Sequence, residues 1–140
     1  MIDHLMTIDD EPIDQKLYKR LIERSGLVGT LHQHLGAESA LAFFAAGDGP
    51  DIDVILLDIN MPGMNGFEFL EAATARFGTH FVKSAVIMLS TSAREEDKAH
   101  ARAFQVVRDF MTKPLTLDGL HHIDARLAEL STAQASPPAA

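Results

Sequence analysis

"VILLDINMPGMNG", residues 54–66, drives four β-favouring apolar residues into one carboxylate, Asp58, and then turns through an Asn, a Pro and two glycines. A strand buried on both faces reads as an unbroken apolar run, so "DVILL" (53–57) is expected at the centre of a parallel sheet. A buried strand that ends on an isolated acid presents that acid at the rim of the sheet.

Outward from this strand, apolar runs and helical patterns alternate. "HLMTI" (4–8) reads as a first strand ending in Asp9-Asp10-Glu11. Ile13, Leu17 and Leu21 then fall at spacing four with Tyr18 and Ile22 beside them, predicting a helix face. Pro12 suits the first turn of that helix and Ser25-Gly26 its end. "LVGTLHQH" (27–34) reads as a second strand and "AESALAFFAAG" (37–47) as a short helix with a glycine stop. "FEFLEAATARF" (67–77) predicts the third helix and "AVIML" (85–89) the fourth strand. Ser92-Ala93-Arg94-Glu95 has the form of a capping box, opening a helix through about Phe104. "VVRDFM" (106–111) is a weaker fifth strand. Past Pro114, the last helix carries Leu117, Leu120, Ile123, Leu127 and Leu130 at steps of three and four. The small, Pro-rich tail 131–140 is expected to be disordered, leaving residues 1–130 as one domain.

The bulk composition narrows the function classes. The chain has 140 residues, enough for one ordinary core. It is 46% hydrophobic and 23% charged, which reads as globular. No apolar stretch is long enough to predict a membrane span, and the first residues lack the pattern of a secretory leader. With no cysteine, thiolate metal sites and disulfides are excluded, which fits a reducing cytoplasm. A net charge of −8 argues against nucleic acid as a partner, because phosphates call for a basic surface.

Five β-then-α units in order imply a doubly wound α/β domain with helices on both faces. Ligands of such folds bind beyond the carboxyl ends of the strands. The residues at those ends are Asp9-Asp10-Glu11, His34, Asp58, Ser90-Thr91-Ser92 and Thr112-Lys113-Pro114. Two like charges about 4 Å apart repel by roughly 4 kcal/mol at an effective dielectric near 20, so Asp9, Asp10 and Asp58 together call for a cation. Oxygen-only ligands suit Mg²⁺. Lys113 adds a fixed positive charge and Ser90 a hydroxyl donor, and a carboxylate so flanked is equipped to attack phosphorus. Each residue also has a plainer reading. The acid pair could cap a helix, Lys113 could be solvated, and Ser90 could cap the helix after it. His32 and His34 alternate on a strand, but without a third ligand they read as ordinary strand histidines.

Taken together, Asp9-Asp10 after the first strand, "LLDINMPGMNG" around Asp58, "VIMLS" ending in Ser90, and "FMTKP" carrying Lys113-Pro114 resemble a response-regulator receiver domain. That family is the phosphoacceptor module of two-component signalling, and the likeness spans about residues 4–130. It implies a flavodoxin-like sheet of five parallel strands in the order 2-1-3-4-5 with five helices. It implies that Asp58 accepts a phosphoryl group from the phosphohistidine of a histidine kinase or phosphotransfer protein. It further implies that Asp10 and Asp58 bind Mg²⁺ directly, with the backbone carbonyl of Asn60 as a third ligand and Asp9 acting through water. Ser90 would hydrogen-bond the acyl phosphate, Lys113 would pair with it, and the Lys113–Pro114 peptide would be cis. Phe110 falls where family members often carry an aromatic that moves inward on activation. The sequence departs from the common pattern in having Ser90 for Thr, and "FQVVRDF" where a Gly-Ala pair often precedes the fifth strand.

The resemblance implies a stand-alone cytoplasmic switch, not an enzyme beyond its own phosphorylation and slow dephosphorylation. It would act on a downstream protein through the 93–130 surface, or pass the phosphoryl group on. About ten residues follow the last predicted helix, which disfavours an attached DNA-binding domain unless the chain is a fragment of a larger regulator or hybrid kinase. An aspartate-nucleophile phosphohydrolase is the rival of another class. It typically needs a second Asp two residues after the nucleophile, where this chain has Asn60. A flavodoxin-like FMN binder is a third, but Asp9-Asp10-Glu11 would repel phosphate unless a metal intervened.

Overall fold

The structure, a computed structural model, describes residues 1–92 and 94–135, with side chains through Leu130. Strands and helices alternate as β1 (Ile2–Ile8), α1 (Pro12–Ser25), β2 (Val28–His34), α2 (Ala37–Ala46), β3 (Val54–Asp58), α3 (Gly66–Phe77), β4 (Ala85–Ser90), α4 (Glu95–Arg102), β5 (Val107–Thr112) and α5 (Leu117–Ala135). The sheet is five-stranded with order β2-β1-β3-β4-β5, as expected. All four pairings are parallel. β3 lies at the centre and every one of its residues is buried.

Alternation along the strands divides the core between two faces. Ile55 and Leu57 join Met6, Ile8, Val86 and Met88 against α2 and α3. Val54 and Leu56 join Leu5, Ile87 and Leu89 against Tyr18 and Ile22 of α1 and Leu120 and Ile123 of α5. Both faces being covered explains why β3 had to be apolar throughout. It also fixes the height of Asp58, which pairs in register with Leu89 one residue before Ser90.

The turn after Asp58 is set by two glycines. Gly63 adopts a left-handed φ of 78°, open to glycine at little cost. At Gly66 a Cβ would come within 2.6 Å of the Asp58 carbonyl oxygen, so no larger residue fits. Gly66 N–H donates to the Ile59 carbonyl at 2.9 Å, closing the loop over the strand end. α3 then starts on a capping box. Asn65 accepts from Glu68 N–H at 2.9 Å, and the Glu68 carboxylate accepts from Asn65 N–H at 3.1 Å.

Several expectations need correction. The buried face of α1 is Gln15, Tyr18 and Ile22, whereas Ile13 is 75% exposed and Leu17 and Leu21 only half-buried. The polar ends of Gln15 and Tyr18 find partners at the strand ends, and this rotates the helix away from its apolar spacing. α4 does not open on Ser92. Its N-cap is Arg94, in extended conformation and with no side-chain cap, and the helix ends at Arg102 instead of near Phe104. Ser92 N–H instead donates to the Ser90 hydroxyl at 3.2 Å. Three acids, Glu95, Glu96 and Asp97, occupy the first turn, where they favour the helix dipole without a cap. β5 begins and ends one residue later than its apolar run, at Val107–Thr112. α5 continues to Ala135, so residues 131–135 are helical and not part of a disordered tail, while 136–140 lie outside the described residues. The Lys113–Pro114 peptide is cis.

Candidate functional site

The carboxyl ends of β1, β3, β4 and β5 bring the predicted residues to one rim. Backbone bonds tie the ends together: Asp9 N–H to the His34 carbonyl at 3.1 Å, Ile59 N–H to Leu89 at 3.2 Å, and Lys113 N–H to Ser90 at 2.8 Å. Asp9, Asp10 and Asp58 each offer a carboxylate oxygen within 4.8 Å of the others. Among the described residues this is the one group of three or more potential metal ligands.

Asp9 is 1% exposed and is the best-held of the three. Its Oδ2 accepts from the Tyr18 hydroxyl at 2.6 Å and from Lys113 Nζ at 2.8 Å. Its Oδ1 accepts from Glu11 N–H at 3.0 Å. Tyr18 is fully buried, and burial together with the bond to ionised Asp9 pushes its phenol far above the ordinary range. Gln15, buried below, donates to the carbonyls of Asp9 at 3.1 Å and His34 at 2.9 Å and accepts from the Thr7 hydroxyl at 2.6 Å. The loop carrying the acid pair is thus pinned from α1.

Lys113 Nζ stands 2.8 Å from Asp9, 3.1 Å from Asp14 and 3.4 Å from Asp58. Burial alone would lower its pKa, but the bonds to Asp9 and Asp14 and the charges of Asp58 and Asp9 outweigh that and hold the ammonium above the usual lysine range. Asp58 goes the other way. Burial first, and then the charge of Asp9, push its carboxyl up to about 6. Lys113 and a backbone hydrogen bond from Asn60 oppose that shift without cancelling it. One ammonium shared among three carboxylates, with Asp10 a further acid beside them, leaves negative charge uncompensated at the rim. An all-oxygen donor set with that excess charge fits a hard divalent cation.

The remaining predicted residues divide. Ser90 is fully buried at the end of β4 and accepts from Ser92 N–H. Asn60 is exposed on the turn after Asp58 and bonds it through the backbone. Phe110 is half-buried on β5 and packs against the α2/α3 core. Three residues of α1 escaped sequence reasoning as site residues: Asp14, Gln15 and Tyr18. The signal for Gln15 and Tyr18 was available only as a 15–18–22 ladder of mixed polarity, and Asp14 stands outside that ladder. His34 bonds Ser39 Oγ at 2.7 Å through Nδ1, and His32 Nε2 lies 3.1 Å from His4 Nδ1. Both pack on Phe43, and they belong to no three-ligand group among the described residues.

The family model described as the response regulator receiver domain matches residues 5–123. The chain belongs to the response-regulator receiver family. This receiver is 32% identical to Protein PilH of Pseudomonas aeruginosa, over 79% of the chain and 85% of that relative. It is 29% identical over 115 residues to two-component response regulator 24 of Arabidopsis thaliana, covering 82% of the chain and 76% of the relative. Among solved structures, a two-component response regulator from Cytophaga hutchinsonii superposes with a TM-score of 0.83 at 29% identity, covering 91% of the chain and 98% of that structure. The chemotaxis protein CheY4 of Vibrio cholerae shares the fold, with a TM-score of 0.75 at 24% identity, covering 91% and 99%. Receivers are signalling modules of two-component systems and generally not enzymes acting on a separate substrate. No helix among the described residues is long and apolar enough to cross a membrane.

Proposed function

We propose that this receiver is a phosphorylatable switch and that Asp58 is its phosphoacceptor. The observation that carries the reading is the setting of Asp58. It ends the central strand inside a three-acid cluster, with Lys113 Nζ at 3.4 Å and a carboxyl pushed up to about 6. At neutral pH this carboxylate is mostly ionised, yet its charge is poorly compensated, so it is both nucleophilic and receptive to cations.

In the proposed reaction an Asp58 carboxylate oxygen attacks the phosphorus of a phosphohistidine on a kinase or phosphotransfer protein. The P–O bond to Asp58 forms as the P–N bond breaks, and the leaving imidazole takes a proton from solvent. Asp10 and Asp58 would hold Mg²⁺ with the Asn60 carbonyl, and Asp9 through water; once bound, the ion supplies charge neutralisation for the phosphoryl oxygens. Asp9 is suited to an indirect part because its oxygens already accept from Tyr18, Lys113 and Glu11. Lys113 pairs with the phosphoryl group, and Ser90 turns its hydroxyl toward it. The signal then leaves through α4, β5 and α5, with Phe110 on β5 as the side chain that follows Ser90, to a downstream protein or a second phosphotransfer partner. Nucleic acid and membrane are not expected partners of this acidic domain, and the proposed compartment is the cytoplasm.

The test is intact mass after incubation with Mg²⁺ and acetyl phosphate. The wild type should gain one phosphoryl group and Asp58→Asn none. An adduct on Asp58→Asn, or none on the wild type with any phosphoryl donor, would overturn the assignment.

A further inference from the structure

Asp14 lies in the first turn of α1 and is outside every role assigned above. Its plain reading is an acid placed to favour the helix dipole. Two observations go further. Lys113 Nζ is nearer to Asp14, at 3.1 Å, than to Asp58, at 3.4 Å. An ammonium has three N–H donors. Lys113 hydrogen-bonds Asp9 at 2.8 Å and Asp14 at 3.1 Å but faces Asp58 only as an ion pair at 3.4 Å, so a phosphoryl group on Asp58 meets an ammonium already drawn toward α1. The Asp9 bond is the shortest and its carboxylate side chain is 1% exposed, whereas the Asp14 side chain is 33% exposed. Water can take over at Asp14 at little cost, so this is the bond the lysine can give up.

We propose that Asp14 is a positioning residue that competes with the phosphoryl group for Lys113. It draws the ammonium toward α1 while Asp58 is unmodified, and phosphoryl binding requires that the lysine let it go. Asp14 thereby sets how tightly the site holds a phosphoryl group. This rests on the reading of Asp58 as phosphoacceptor.

The probe is beryllofluoride with saturating Mg²⁺, a phosphoryl mimic, followed through the amide signals of Ser90 and Lys113. Asp14→Asn removes the competing charge and should tighten beryllofluoride about fivefold, the upper end expected for a partly exposed ion pair. Asp14→Glu keeps the charge and should stay within about twofold of the wild type. In a Lys113→Met background the same Asp14→Asn change should give about twofold or less, because no lysine remains to be released. If Asp14→Asn leaves the affinity unchanged or weakens it, Asp14 is no competitor and the proposal falls. It falls equally if the gain persists in full without Lys113, since the effect would then be direct repulsion. A wild type that ignores beryllofluoride altogether overturns the phosphoacceptor reading itself, and this proposal with it.

Discussion

Among the described residues, Asp9 on one side of the site takes three donors, from Tyr18, Lys113 and Glu11, whereas Ser90 across the sheet takes one, from Ser92 N–H. The helices beside them differ in the same sense. α1 buries Gln15, Tyr18 and Ile22 and threads the polar ends of Gln15 and Tyr18 into the strand-end loops, while α4 buries only Ala101. β5, at the edge of the sheet next to α4, has no fully buried residue, in contrast to β4, which is buried throughout. His100 adds one further hold on α4, stacking on Phe67 of α3 with ring centroids 3.9 Å apart. The difference teaches how a switch can be built on one sheet. The α1 side keeps the charges in place, and the sparsely packed α4 side is free to be repositioned at low cost.

Substitutions on the two sides should therefore differ in size, and the largest effect belongs at the cation. Lys113→Met leaves Asp9, Asp14 and Asp58 without their shared ammonium. It should lower unfolding free energy by about 3 kcal/mol at neutral pH in chelator-treated buffer. Denaturant titration measures this, and a loss no greater than that of a surface lysine would contradict a firmly held α1 side.

The next effect has the opposite sign. Because folding raises the Asp58 carboxyl from an ordinary value of 3.8 to about 6, its ionisation opposes folding above that range. Asp58→Asn should stabilise the metal-free protein by about 2 kcal/mol at pH 7.5. The gain should shrink as pH falls through about 6 and vanish near pH 4, where the wild-type carboxyl is protonated in folded and unfolded chains alike. A gain that grows on acidification would mean that Asp58 is well compensated. The smallest effect is expected on the α4 side. His100→Ala removes one ring stack and should cost about 0.5 kcal/mol globally. It should also speed hydrogen exchange in α4 and leave α1 unchanged; faster exchange in both helices would erase the contrast.

The rim residues were legible because apolar runs mark strands, and whatever follows a run in this topology lies at the rim. Asp9, Asp10, Asp58, Ser90 and Lys113 were found that way. The α1 network was not, because the helix face was taken from the spacing of Ile13, Leu17 and Leu21. Buried Gln15 and Tyr18 are satisfied by Thr7, Asp9 and His34, and partners on other elements leave no periodicity within the helix. Asp14 was hidden for the same reason, its partner Lys113 being 99 residues away. The start of α4 was misplaced because Ser92 and Glu95 match a capping pattern, yet the chain at Arg94 is still extended.

The central claim is that the uncompensated carboxylate at the end of β3 is where phosphate is accepted. It is tested most directly by peptide mapping of the protein after Mg²⁺ and acetyl phosphate, with the acyl phosphate trapped by borohydride reduction. The account predicts label at Asp58 alone, lost in Asp58→Asn and strongly reduced when Mg²⁺ is chelated. Label at Asp9 or Asp10, or labelling indifferent to Mg²⁺, would contradict it.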